Sequence, residues 1–301
     1  MIDAPSSVIP NNVRIYVVMP TLGGGHLSET CKKLLSSLGE FDKLYVIYNG
    51  DSVTGLKEQL DDARLIYLTT KPHGASVGRN IGIQHIHQLD PASAGVIFAN
   101  DRSVYSRESL SVARRFLEFH SNKIGLGTWK TPDGKTVLEP RAVYSSKTDL
   151  LRAYEPAMLV PLSLISKGLL WKDNLGPGPK TKFKSGDGAM FLMNSISLGA
   201  ELVGLSQFEV ENPISNFELN LRKLVIKGFQ YGFGYIAYVR FSKKENRLGR
   251  LSVIPFVLAP MARYISRNPY WSENGFMWTF SSTVGRLWGL LIKNKFSDFH
   301  G

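Results

Sequence analysis

Residues 64–83 read RLIYLTTKPHGASVGRNIGI, and the reading of this stretch decides the fold. Its first seven residues, RLIYLTT (64–70), are apolar, β-branched and aromatic, and nearly continuous rather than alternating, as in a strand covered on both faces. Pro72 and Gly74 interrupt the run, and Ala75 to Leu89 then reads as a helix with Arg79 in its first turn. Three more runs repeat the strand pattern: VRIYVVM (13–19), LYVIY (44–48) and GVIFA (95–99). Helical stretches at Ser28 to Leu38, Thr54 to Asp61 and Arg107 to Phe119 alternate with them. Strand alternating with helix predicts an α/β fold with a mostly parallel sheet flanked by helices.

Beyond residue 120 the pattern loosens. TWKTPDGKTV (128–137) reads as a hairpin around Asp133-Gly134. DNLGPGPKTKFKSGDG (173–188) is rich in Gly, Pro and Lys and reads as a mobile loop. AMFLMNSISLGAEL (189–202) returns to helix followed by strand, and no internal repeat is visible.

The 301 residues suffice for one large domain or two small ones. With 43% hydrophobic and 20% charged residues, the composition is that of an ordinary globular protein. One cysteine, Cys31, excludes an intramolecular disulfide and a cysteine-rich zinc site, and it reads as buried in the first helix. MIDAPSSVIPNNVRIY (1–16) has no basic stretch followed by a long apolar core, so no signal peptide is expected. The net charge of +11 is unevenly held: from Asn216 onward there are 13 Lys and Arg against 4 Asp and Glu, and before it 23 against 21. We therefore divide the chain into a nearly neutral α/β region, 1–215, and a basic, aromatic, mostly helical region, 216–301.

A basic tail calls for an anionic partner, a membrane surface or a nucleic acid. The uncharged stretch 251–262 is too short for a spanning helix and holds Pro255 and Pro260, and GFMWTFSSTVGRLWGLLIKNK (275–295) carries Arg286 and several hydroxyls. Both suit an amphipathic helix in a membrane interface, with Trp278, Trp288, Phe276 and Phe280 set among basic residues; a helix packed on the domain is the alternative. No nucleic-acid-binding motif is present, and no nucleic-acid partner is expected.

The strand ends carry the polar residues. PTLGGGHL (20–27) follows the first run, YNGDS (48–52) the second, GASVGRN (74–80) the third, and Asn100-Asp101-Arg102 the fourth. In a parallel sheet these ends share one edge, so Thr21, Asn49, Arg79 and Asp101 converge. Arg79 near a helix N-terminus suits an anion, although a lone Arg is more often in a surface salt bridge. His85 and His87 are two apart on a helix and cannot share a ligand. His26 and His73 flank the cleft as ordinary polar loop residues.

In this order of motifs the chain resembles glycosyltransferases of family 2, which have the GT-A fold, a Rossmann-like sheet flanked by helices. The likeness runs from residue 13 to about 205: a strand ending in Pro20-Thr21, VIYNGDS for the family's VVDDGS, HGASVGRNIGI for its GxxxARNxGI, IFANDRSVYSRESL for its acid motif and following helix, and NLGPGPKTKFKSGDGAMFLM for its LGxG…GED segment. The resemblance implies inverting transfer from a nucleotide diphosphate sugar, a UDP-sugar above all. It makes Pro20, Thr21, Asn49, Gly74, Arg79, Asn100 and Asp101 nucleotide-sugar-binding residues, with Thr21 and Asn49 at the nucleobase end, Arg79 near the uridine or diphosphate, and Asp101 at the ribose, diphosphate or metal. Asp187 is then the acid that deprotonates the acceptor hydroxyl.

Two departures stand out. The family's GED reads Gly186-Asp187-Gly188, so a glycine occupies the usual base position; Asp173 and Glu155 are the alternatives to Asp187. Where a metal-binding acid is expected stands Arg102. Either its guanidinium, with that of Arg79, replaces the metal at the leaving diphosphate, or Asp101 alone anchors Mg²⁺ or Mn²⁺ and Arg102 points away. The expectation is a cytoplasmic glycosyltransferase, peripheral on the inner face of the membrane, transferring to a glycan or lipid-linked acceptor in cell-surface polysaccharide synthesis. A catalytically weak nucleotide-sugar-binding protein and a basic nucleic-acid-binding protein are the rivals.

Overall fold

The four apolar runs become strands: VRIYVVM, LYVIY and GVIFA are buried on both faces, whereas RLIYLTT, expected to be covered likewise, is the edge strand of the sheet and only partly buried. A computed structural model describes residues 13–50, 60–87, 94–142, 144, 150, 153–178, 181, 183–213, 220–245, 258 and 273–291. In chain order the elements are β1 (Arg14–Thr21), α1 (Leu27–Ser37), β2 (Lys43–Asn49), β3 (Leu65–Thr70), α2 (Ala75–His87), β4 (Ala94–Phe98), α3 (Arg107–Phe119), β5 (Lys123–Lys130) and β6 (Thr136–Leu138). There follow a 3₁₀ turn at Glu155–Ala157, β7 (Met158–Pro161), α4 (Leu162–Ser166), α5 (Asp187–Ser197), β8 (Glu201–Glu211), α6 (Leu221–Glu245) and α7 (Glu273–Leu291). The expected helix at 54–61 lies almost wholly outside the described residues.

Eight strands form one sheet in the order β3-β2-β1-β4-β7-β5-β6, with β8 along the other edge of β5. The β3-β2-β1-β4 half is parallel throughout. β7 enters antiparallel between β4 and β5, and β8 runs parallel to β5. The Asp133-Gly134 hairpin is present: Thr131 N–H donates to the Lys135 carbonyl, and Gly134, at φ +81°, turns the chain from β5 into β6. The chain steps outward from β1 to β3 and then returns to the other side of β1 as β4. A crevice therefore opens at the C-terminal ends of β1 and β4, where ligands bind in open α/β sheets.

Alternate strand residues feed two cores, as the two-residue period requires. Tyr16, Val18, Tyr45, Ile47 and Phe98 pack on Ile83 and Ile86 of α2 and Phe191 of α5. Ile15, Val17, Met19 and Val46 pack on Leu27, Cys31 and Leu34 of α1 and Leu110 and Phe116 of α3. Burial pushes the Cys31 thiol up to about 12. Gly82 lets α2 lie tight on the sheet, since a Cβ there would stand 2.5 Å from Val18 Cγ1.

The segment 173–178, expected to be mobile, is pinned instead. Ser76 Oγ donates to the Leu175 carbonyl at 2.8 Å, Ala75 N–H donates to the Pro177 carbonyl at 2.8 Å, and Leu175 is buried. Gly74 and Gly178 make this closeness possible: a Cβ on Gly178 would stand 2.4 Å from the Gly74 Cα. Composition alone suggested mobility because backbone-to-backbone packing of this kind leaves no apolar signal.

α6 and α7 run side by side in the same direction. Gly232 faces Ser282, and Gly285 faces Phe229; Cβ atoms there would stand 1.9 Å and 2.1 Å from the facing carbonyl oxygens. The pair docks on the domain where Ser185 Oγ donates to the Tyr231 carbonyl at 2.6 Å and Phe183 stacks on Phe233. Among the described residues no helix is long and apolar enough to cross a membrane.

Candidate active site

Two chambers open at the crevice. The first, about 370 Å³, is floored by the ends of β1, β2 and β4. Thr21 Oγ1 donates to Asp101 Oδ2 at 3.3 Å and accepts from Gly23 N–H at 2.9 Å, which curls the glycine loop back over the strand end. Asn49 Oδ1 accepts from Thr70 Oγ1 at 3.3 Å. Arg102 lines the same chamber, as do His26 and His73. His26 Nε2 lies 3.6 Å from Asp101 Oδ2, and that buried nitrogen has no hydrogen-bond partner.

The second chamber, about 530 Å³, shares Asn100, Pro177, Asn212 and Pro213 with the first. Its centre is a buried ion pair: Arg79 Nη1 donates to Asp187 Oδ2 at 2.7 Å, and the guanidinium lies 4.2 Å over the Trp171 ring. Arg79 is brought there by α2, and Asp187 opens α5 immediately after Gly186, which is left-handed at φ +87°. Asn80, next to Arg79, brackets Trp171 by donating to its carbonyl and accepting from its N–H, both at 2.9 Å. The Arg-Asn-x-Gly piece thus has a physical account: ion pair, bracket, and close approach of the helix to the sheet.

Glu155 completes the group from the 3₁₀ turn before β7. A Cβ built on Gly188 would stand 2.5 Å from Glu155 Oε1, so this carboxylate fills the space that a side chain at 188 would take. Burial, and next the Asp187 carboxylate, push Glu155 up to about 7 against the pull of Arg79. Around the acids stand aromatic rings: Trp129 stacks on Tyr154 at 4.3 Å, and Tyr231 and Trp278, from α6 and α7, meet at 5.7 Å. Burial raises the Tyr231 phenol well above its ordinary range, and both carboxylates add to the effect. Lys184 and Lys227 also line the chamber, and desolvation lowers both ammonium groups.

No protein-family model matches the chain, and no curated protein sequence matches it. Solved structures are similar. S. aureus TarS, residues 1–349, superposes with a TM-score of 0.50 over 91% of this chain and 90% of that one, at 13% identity. The same protein in complex with UDP gives 0.50 over the same shares at 14% identity, and in complex with UDP-GlcNAc 0.50 over 91% of each chain at 12% identity. The chain has the GT-A fold. Together with the strand order around β1 and β4, the superposition over nine-tenths of both chains decides this.

Within the GT-A fold the expected residues divide between the chambers. Pro20, Thr21, Asn49, Asn100, Asp101 and Arg102 line the first. Gly74 is buried between His73 and Ala75, which line it too. Arg79 lines the second chamber with Asp187 and Glu155, so it does not join the expected convergence with Thr21, Asn49 and Asp101. Asp173 is exposed, accepts a hydrogen bond from Asn80 and lines neither chamber. Sequence reasoning missed His26 as a neighbour of Asp101; its position just past a glycine loop at a strand end was the available signal. It also missed the contribution of Lys227, Tyr231, Tyr235 and Trp278 to the second chamber, for which the aromatic clustering of the tail was the only cue.

Proposed function

We propose that the chain is a glycosyltransferase of family 2, moving a sugar with inversion from a UDP-sugar to a hydroxyl of a glycan or lipid-linked acceptor in cell-surface polysaccharide synthesis. The observation that carries this reading is the Arg79–Asp187–Glu155 group beside a polar strand-end chamber. The motif order and the likeness to a protein solved with UDP and with UDP-GlcNAc support it.

In this reading the first chamber takes the nucleotide and the second takes the sugar and the acceptor. The acceptor oxygen attacks the anomeric carbon, its O–H proton passes to a carboxylate, the bond from that carbon to the diphosphate oxygen breaks, and UDP leaves. We assign the proton to Glu155. Asp187 is committed to Arg79, whose Nη1 donates to its Oδ2 at 2.7 Å. Glu155, raised to about 7, has the basicity that suits a general base near neutral pH. Asp187 holds Arg79 in place and helps raise Glu155.

The leaving diphosphate calls for positive charge, and Arg102 in the first chamber supplies it by paired N–H donors. Among the described residues no group of three His, Cys, Asp or Glu could hold a metal ion. The unpartnered His26 nitrogen facing Asp101 nevertheless fits a two-ligand seat, completed by donor phosphate oxygens. A divalent ion bound there would neutralise charge on the diphosphate. Calorimetric titration of UDP with Mn²⁺ and then with EDTA separates the two: binding that survives EDTA assigns the role to Arg102, and binding that needs Mn²⁺ assigns it to the Asp101–His26 seat.

Glu155→Gln tests the base. Its kcat should fall about 10²- to 10⁴-fold with donor KM little changed. The wild-type rate should rise with pH and level off above about 7, since the active form is the ionised carboxylate, and the Gln variant should lose that rise. Wild-type turnover in the variant would move the base elsewhere. Tight UDP binding with no transfer to any glycan or lipid-linked acceptor would leave only a nucleotide-sugar-binding protein.

A further inference from the structure

α7 has two faces. One packs on α6 through Gly285 and Gly289, with Ser281, Ser282 and Arg286 buried. The other carries Phe276, Phe280, Val284, Leu287, Trp288 and Leu291, from 37% exposed at Phe276 to 75% at Leu291. Their spacings of four, four, three, one and three put all six on one stripe of a helix. From Asn274 to Leu291 the only charged residue is Arg286, and it is turned away over the Tyr235 ring at 4.9 Å.

An exposed apolar row of this length marks an interaction surface. Three observations say what covers it. The helix is not long and apolar enough to cross a bilayer, so it can lie on one but not span it. The stripe holds Trp and Phe, whose rings suit the boundary between headgroups and acyl chains. The charge of residues 216–301 is +9, from 13 Lys and Arg against 4 Asp and Glu; Arg222 and Lys223 are exposed on α6, and Lys293 and Lys295 follow α7 in the sequence. A second copy would bring the same positive charge against itself, whereas anionic headgroups would neutralise it.

We propose that the outer face of α7 docks the protein on an anionic lipid surface, lying in the interface with its six apolar side chains inserted. Trp278, on the packed side of the same helix, lines the second chamber. Docking by α7 would therefore hold that chamber next to the lipid surface, where a lipid-linked acceptor resides.

The test uses the full chain and vesicles of phosphatidylglycerol and phosphatidylcholine, spun down at low salt. The wild type should pellet with anionic vesicles, remain in solution with pure phosphatidylcholine, and be released by high salt. The Phe280→Asp/Trp288→Asp variant should bind anionic vesicles at least tenfold less while keeping wild-type UDP affinity, which shows that it folds. Vesicle capture reads the helix face alone, whatever the chambers transfer. Wild-type protein that stays in the supernatant, or a variant that pellets as well as wild type, overturns the proposal. So does a vesicle-free dimer, seen by sedimentation velocity, that the two substitutions dissociate, because the face would then belong to a second copy.

Discussion

The two chambers are built in opposite ways. The first stands on the ends of three adjacent parallel strands, and its polar residues follow the apolar runs directly in sequence. The second draws Arg79 from α2, Glu155 from the turn before β7, Asp187 from the start of α5, and Tyr231 and Trp278 from the two C-terminal helices. The floor of the first follows from sheet topology, and Pro177, Gly178, Asn212 and Pro213 close it from later in the chain. The other exists only when segments more than 100 residues apart in the chain are packed together. A change in the first should therefore stay local, and a change in the second should spread to stability as well as to chemistry.

The strongest way to break this contrast is at the ion pair. Arg79 and Asp187 are both almost fully buried, and Arg79→Met would leave the Asp187 carboxylate without its cation. Breaking a buried pair by removing one partner costs about 3–5 kcal/mol. Urea unfolding should show a loss of that size, and transfer should fall with it. A loss under 1 kcal/mol would mean that water reaches Asp187 freely, and the second chamber would then be as local as the first.

The helix pair gives a smaller effect in the same direction. A Cβ on Gly232 would stand 1.9 Å from the backbone oxygen of Ser282, which cannot swing aside as a side chain can. Gly232→Val should push α6 from α7 and cost about 1–3 kcal/mol, the range for overpacking. Tyr231 sits beside Gly232, so the second chamber should deform while the strand-end chamber does not. Transfer assays should report lower kcat, and UDP titration should report unchanged affinity. Equal losses in both would show that the chambers are not separable.

The same contrast explains what was legible in the sequence. Strands buried on both faces announce themselves by continuous β-branched and aromatic runs, so β1, β2 and β4 and the edge where Thr21, Asn49 and Asp101 meet could be read directly, while the same pattern in β3 did not tell that it is a partly buried edge strand. Arg79 could be marked as notable, but its partner lies 108 residues on, and nothing local pointed to Asp187 rather than to the diphosphate. Glu155 belongs to no motif; only the space left at Gly188 singles it out. The tail read as amphipathic from its rings and cations, yet in the described helices Gly228, Gly232, Gly285 and Gly289, spaced four apart in each helix, are what bring α6 and α7 into contact. Periodicity reports which face is apolar. It does not report which of two apolar faces meets protein and which stays exposed.

Thr21→Val gives the smallest effect and the sharpest check on the first chamber. The substitution keeps the volume and the β-branch and removes one hydroxyl. That hydroxyl donates to Asp101 and accepts from Gly23 N–H, so the variant loses the restraint on the acid and on the glycine loop together. An intramolecular hydrogen bond contributes about 1 kcal/mol, and a loss of that size weakens binding about fivefold. UDP affinity should drop by that factor, with kcat at saturating donor unchanged, because Glu155, the proposed base, and the Arg79–Asp187 ion pair stand in the other chamber. A fall in kcat with donor affinity intact would show that the strand-end acid acts in the transfer step, and the division between a chamber that binds and a chamber that reacts would have to be redrawn.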